Sequence, residues 1–157
     1  MSLLPIFQWL AGTRLSAAMA ASKWAFATVE MVHLLSLALL GGTVLMVDLR
    51  LLGLRLRRRP ADEVARELSP FSAVSLVVLV ISGVFLVIDG PLRYYANAAF
   101  RLKMLLLAAA VIFSLTMHRR VIRSGSDRVT TEARVTAVVS LALWLSVGLA
   151  GRAIGFL

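Results

Sequence analysis

The sequence predicts an all-α integral membrane protein: an antiparallel bundle of four transmembrane helices preceded by an N-terminal interfacial helix. Three observations carry this prediction. Hydrophobic residues make up 60% of the 157, with a mean hydropathy of +0.89, which is too apolar for a soluble domain of this size. The apolar runs approach the roughly 20 residues a helix needs to cross the hydrocarbon. Between them lie short Arg-rich segments, the pattern of connections beside a bilayer.

The same pattern accounts for the formal charge of +9. Most arginines flank apolar spans, where they set topology and meet anionic head groups, so no nucleic-acid partner is expected. The chain has no cysteine, which excludes disulfides, iron–sulfur clusters, thiolate metal sites and c-type haem attachment.

Taken in order, residues 1–22 are apolar but broken by Pro5, Gln8, Gly12 and Arg14. An amphipathic helix lying in the interface fits them better than a span or a signal peptide. Residues 23–157 form the membrane domain, with spans at about 24–47, 71–88, 99–117 and 133–150. Span one runs on as a surface helix from Asp48 to Arg59 until Pro60 stops it. Its Gly41-Gly42 pair offers a close approach to a helix or a flat ligand. Residues 60–70 form a polar connection in which Ser69 and Pro70 start span two. Asp89-Gly90-Pro91 ends that span, and Tyr94, Tyr95 and Phe100 mark an interface. Span three opens at Arg101 and Lys103 and closes at His118-Arg119-Arg120. A polar turn at Ser124-Gly125-Ser126 leads to span four, which ends near Gly151 and Arg152.

Basic residues give the orientation. Arg50, Arg55, Arg57, Arg58, Arg59 and Arg66 flank the first connection, and Arg119, Arg120, Arg123, Arg128 and Arg134 flank the third. Only six of the 17 basic residues lie on the opposite side. The positive-inside rule then places the Arg-rich connections in the cytoplasm of a bacterial inner membrane and both termini outside.

Ionisable residues inside spans are expensive and mark candidate sites. Glu30 and His33, three apart, share a face of span one. At 1.5 Å per residue, with Trp24 level with Phe100, Glu30 lies roughly 9 Å deep, His33 roughly 13 Å, Lys103 roughly 5 Å and His118 roughly 27 Å. The two histidines are therefore not expected to ligate one iron. A neutral imidazole at mid-depth suits a haem axial ligand, and Arg152, Arg93 and Lys103 near the surface suit propionates. A divalent metal on Glu30 and His33 is the competing use, weakened by the cations around it. His118, beside two arginines, reads as an interfacial residue that snorkels to water.

The segments VEMVHLLSLALLGGTVLMVDLRLLG, NAAFRLKMLLLAAAVIFSLTMHRR and SLALWLSVGLAGRAIGF resemble a group of uncharacterised four-helix bacterial inner-membrane proteins over about residues 24–157. More distantly, His33, Lys103 and His118 resemble the layout of HemJ-type protoporphyrinogen oxidases and of CopD-like membrane domains. In the HemJ-type family a first-span His and a third-span Lys belong to a b-type haem site. The resemblance thus implies His33 and Lys103 as its counterparts. The Lys-to-His spacing on span three is longer here than in that family.

Three functional expectations follow. First is a haem b protein handling electrons, with His33 on the iron, Lys103 or Glu30 as second ligand or hydrogen-bond partner, and Arg152 and Arg93 on the propionates. Second is a non-enzymatic accessory or assembly subunit, as a homo-oligomer or on another membrane protein, with a buried Glu30, Lys103 and Arg152 network. Third is proton or copper movement, ranked last because no polar stripe along a span joins His33 to His118.

Overall fold

The computed structural model describes residues 3–55, 59–123 and 130–156. Arg57, Arg58, Arg128 and the turn expected at Ser124-Gly125-Ser126 lie outside the described residues. The N-terminal segment is two short helices, α1 (Leu4–Ala11) and α2 (Arg14–Ala21). They break at Thr13, whose hydroxyl accepts from the Ser16 amide at 3.2 Å and so caps α2. Helix α2 packs against the two long helices that follow and buries Ser16 and Met19.

Helix α3 (Lys23–Leu51) starts at Ser22, whose hydroxyl accepts from the Ala25 amide. It stops well short of Arg59. Gly53 adopts φ 73°, Leu54 N–H bonds the Leu49 carbonyl and Gly53 N–H the Arg50 carbonyl, both at 3.0 Å. This is the six-to-one and five-to-two pairing that closes a helix through a left-handed glycine.

Helix α4 (Ala61–Asp89) begins directly after Pro60, with Asp62 and Glu63 in its first turn, where carboxylates complement the helix dipole. The expected connection at 60–70 is therefore helix, and Ser69 and Pro70 lie inside it. A proline this far inside removes one backbone bond, and the helix continues through it. Arg59 ties the preceding segment down, donating to Glu63 Oε1 at 2.7 Å and to Glu67 Oε2 at 3.0 Å.

After Gly90 come α5 (Pro91–Ala96) and α6 (Ala98–Phe113), the latter capped by Asn97 Oδ1 on the Phe100 amide at 3.0 Å. A five-residue π-helical turn, Ser114–His118, joins α6 to α7 (Arg119–Arg123). Helix α8 (Thr131–Ala153) is capped by Thr130. Among the described residues, four stretches are long and apolar enough to cross a membrane: Lys23–Leu51, Ala61–Asp89, Ala98–Ile122 and Thr131–Ala153.

Helix α3 is the centre of the assembly, packed on both α4 and α8, while α6 packs on α8; α4 and α6 do not pack along each other. His33 meets Ser82 and Thr43 meets Ser72, so numbering rises along α3 as it falls along α4. Val47, Leu51, Val64, Ile122, Ala133 and Ala137 make an apolar core at the Arg-rich end. Large side chains such as Leu105, Leu145 and Leu149 point outward, as lipid-facing residues do. A Cβ added at Gly41 or Gly42 would meet nothing within 4 Å, so the close approach expected there is not made among the described residues.

Candidate functional site

Two polar pairs cross the interior, and both join α3 to the third span. Near one end, His33 is 8% exposed. Its Nδ1 lies 3.0 Å from Ser82 Oγ on α4, and its Nε2 lies 3.5 Å from Lys103 Nζ on α6. The hydroxyl settles the ring's tautomer. Ser82 donates its own proton to the Val78 carbonyl at 2.6 Å, so toward the imidazole it accepts. Nδ1 then carries the hydrogen and Nε2 presents a lone pair to Lys103.

Glycines make room for this arrangement. A Cβ on Gly83 would stand 3.2 Å from His33 Cε1, and one on Gly151 would stand 3.4 Å from Lys103 Nζ. The first is tight enough that the ring would have to give by a few tenths of an ångström.

At the Arg-rich end, Asp48 is 0% exposed and its Oδ1 lies 2.8 Å from His118 Nε2. This corrects the expectation of a snorkelling His118: the ring is buried, at 9% exposure, and turned inward. The π-helical turn ends on His118 itself. Such a turn holds one extra residue and re-aims everything beyond it, so the inward face of the helix is reset where His118 must meet Asp48.

Both pairs are 70 residues apart in sequence. One uniform offset therefore satisfies them, with α6 set about 9 Å deeper against α3 than the aromatic markers suggested. His33 and Asp48 are then about 22 Å apart along α3, and the two histidines serve separate pairs.

The remaining expected site residues stand apart. Glu30 is exposed rather than sharing the buried face of His33, and no ion pair to it occurs among the described residues. The Glu30, Lys103 and Arg152 network is accordingly not formed there. Arg93 is exposed, 3.5 Å from Asp89 Oδ2, with its guanidinium over the Tyr94 ring. Arg152 is exposed over Phe156. No group of three or more His, Cys, Asp or Glu suited to a metal ion occurs among the described residues. Ser82 was missed by the sequence reading; its only signal was a hydroxyl beside a glycine in an apolar run.

Fold and site together define an all-helical protein whose described residues include four helices long and apolar enough to cross a membrane, with paired ionisable side chains in its interior. The chain belongs to the family of unknown function DUF6644, whose model matches residues 6–157. No curated protein and no solved structure matches it, so the likeness to HemJ-type oxidases and CopD-like domains stands on the quoted residues alone.

Proposed function

We propose that His33 and Lys103 form a b-type haem site in an antiparallel four-span protein of the bacterial inner membrane that handles electrons. The observation that carries this reading is the placement of the buried His33 ring, with Nδ1 3.0 Å from Ser82 Oγ and Nε2 3.5 Å from Lys103 Nζ. An outer hydrogen bond of that kind is what orients a ligating imidazole. His33 Nε2 and Lys103 Nζ would be the nitrogens that hold the iron. Arg93 and Arg152, near the same end, are suited to propionates. Haem held there would supply a one-electron couple.

An optical spectrum of protein purified from cells supplied with a haem precursor tests the reading. The expected result is a Soret band that His33→Ala removes and Lys103→Met shifts, with helical circular dichroism retained. A wild-type protein without a Soret band would remove the haem reading. One observation favours a second use of the pair: Ser82 and Lys103 together satisfy both ring nitrogens without any third group. In that accessory-subunit reading, Lys103→Met lowers stability and no spectrum changes.

We also propose the orientation, with the Arg-rich end cytoplasmic and both termini outside. The cysteine-free chain makes this simple to check. Arg66→Cys and Ala98→Cys, both at exposed positions, should differ toward an impermeant maleimide in intact cells: Ala98→Cys labelled, Arg66→Cys silent. The reverse pattern means the orientation is inverted.

A further inference from the structure

Hydroxyls of three spans gather inside the bundle between the two histidine pairs. From α3 come Ser36 and Thr43, and from α4 Ser75 and Ser72; all but Ser72 are buried, and Ser72 donates to Thr43 at 2.8 Å across the interface. Ser36, Thr43 and Ser75 each give their proton to a carbonyl of their own helix. Ser36 and Ser75 keep their lone pairs for another donor, while Thr43 accepts from Ser72. Measured along α3 from His33, Ser36 lies about 4 Å on, Ser75 about 10 Å, the Thr43 and Ser72 pair about 15 Å and Asp48 about 22 Å.

Small hydroxyl residues alone would be ordinary packing between membrane helices. A separate observation goes further. Asp48 Oδ2, Ser140 Oγ and Trp144 Nε1 are buried with no hydrogen-bond partner among the described residues, and Asp48 and Ser140 are 0% and 1% exposed. Buried polar atoms are almost always paired, if not by protein then by internal water. Gly151 adjoins Lys103, so counting back along α8 puts Trp144 about 10 Å and Ser140 about 16 Å below that level. The unpaired donor and acceptors therefore fall at the depths of Ser75, of Thr43 and of Asp48. Measured along the bundle axis, no step in the series exceeds about 8 Å, a rise that two waters bonded in line would cover.

We propose that the interior holds a column of internal water that carries protons between the Asp48–His118 pair and the level of Ser36, across the middle of the membrane. The Asp48–His118 pair is its gate at the Arg-rich end. An imidazole can take a proton on one ring nitrogen and release one from the other, and Asp48 keeps one oxygen unengaged to receive it. Each hop makes and breaks one O–H or N–H bond, and no electron moves. The inference does not rest on bound haem. The sequence showed no polar stripe along any one span because the stripe is shared among three.

The test uses the full-length protein in liposomes of neutral lipid loaded with a pH-sensitive dye, with a potential set by potassium and valinomycin. Internal acidification faster than in protein-free vesicles is expected. Ser140→Ala, which keeps the helix and removes one anchor, should lower the rate toward that of protein-free vesicles, and Asp48→Asn should do the same. Ser69→Ala, an exposed hydroxyl on α4, should leave it unchanged. Wild-type vesicles no faster than protein-free ones would overturn the proposal without recourse to any variant, as would equal rates for wild type and Ser140→Ala. The Soret band is read on the same preparation, so failure of the haem reading is seen separately.

Discussion

Asp48→Ala is expected to lower the stability of the protein by about 3–5 kcal/mol, the cost of leaving one member of a buried pair without its partner. Asp48 is fully buried and His118 nearly so, at a separation of 2.8 Å. By contrast, the exposed Arg59 bridge to Glu63 and Glu67 is screened by solvent and contributes little. The cause of the loss is His118, left buried without its partner. Replacing both residues by leucine removes the stranded group as well as its partner, so the double variant should recover most of the loss. Unfolding in detergent, followed by circular dichroism against rising dodecyl sulfate, gives the four values needed for the cycle. Losses that simply add would show that the two side chains do not stabilise the fold as a pair.

Deleting a single residue from the third span should have different consequences inside the π-helical turn and before it. Leu105 and Leu115 are both exposed leucines, so their own packing contributes little difference. Removing Leu115, inside Ser114–His118, takes out the extra residue and lets the helix close with ordinary bonds. Lys103 and His118 then keep their faces, and stability should change little. Removing Leu105, in the regular part of α6, rotates every later residue by about 100° relative to Lys103. His118 would swing away from Asp48, and the penalty should approach the roughly 3–5 kcal/mol of the broken pair. The same detergent titration compares them. If both deletions are equally damaging, the turn is not what aims His118.

Much of this protein was decided by sequence alone. Four apolar stretches, the arginines between them, the absence of cysteine and the cost of an ionisable group in a span are local or additive properties, and they gave the helices and singled out His33 and Lys103. Helix ends were legible only in part. Gly53 ended α3 where the leucine and arginine pattern suggested continuation, and α4 ran through Pro70, because hydropathy says nothing about which backbone groups find partners.

Partners across the bundle were not legible at all. Glu30 is one turn from His33, yet one side chain is exposed and the other buried, since the width of the buried stripe on α3 depends on how α4 and α8 pack against it. His118 looked interfacial beside Arg119 and Arg120, and only the π-helical turn and the offset of α6 brought it to Asp48. Ser82 and Ser140 have no signature in an apolar run. Their roles depend on axial register and helical phase, which packing between spans sets and no single stretch of sequence encodes.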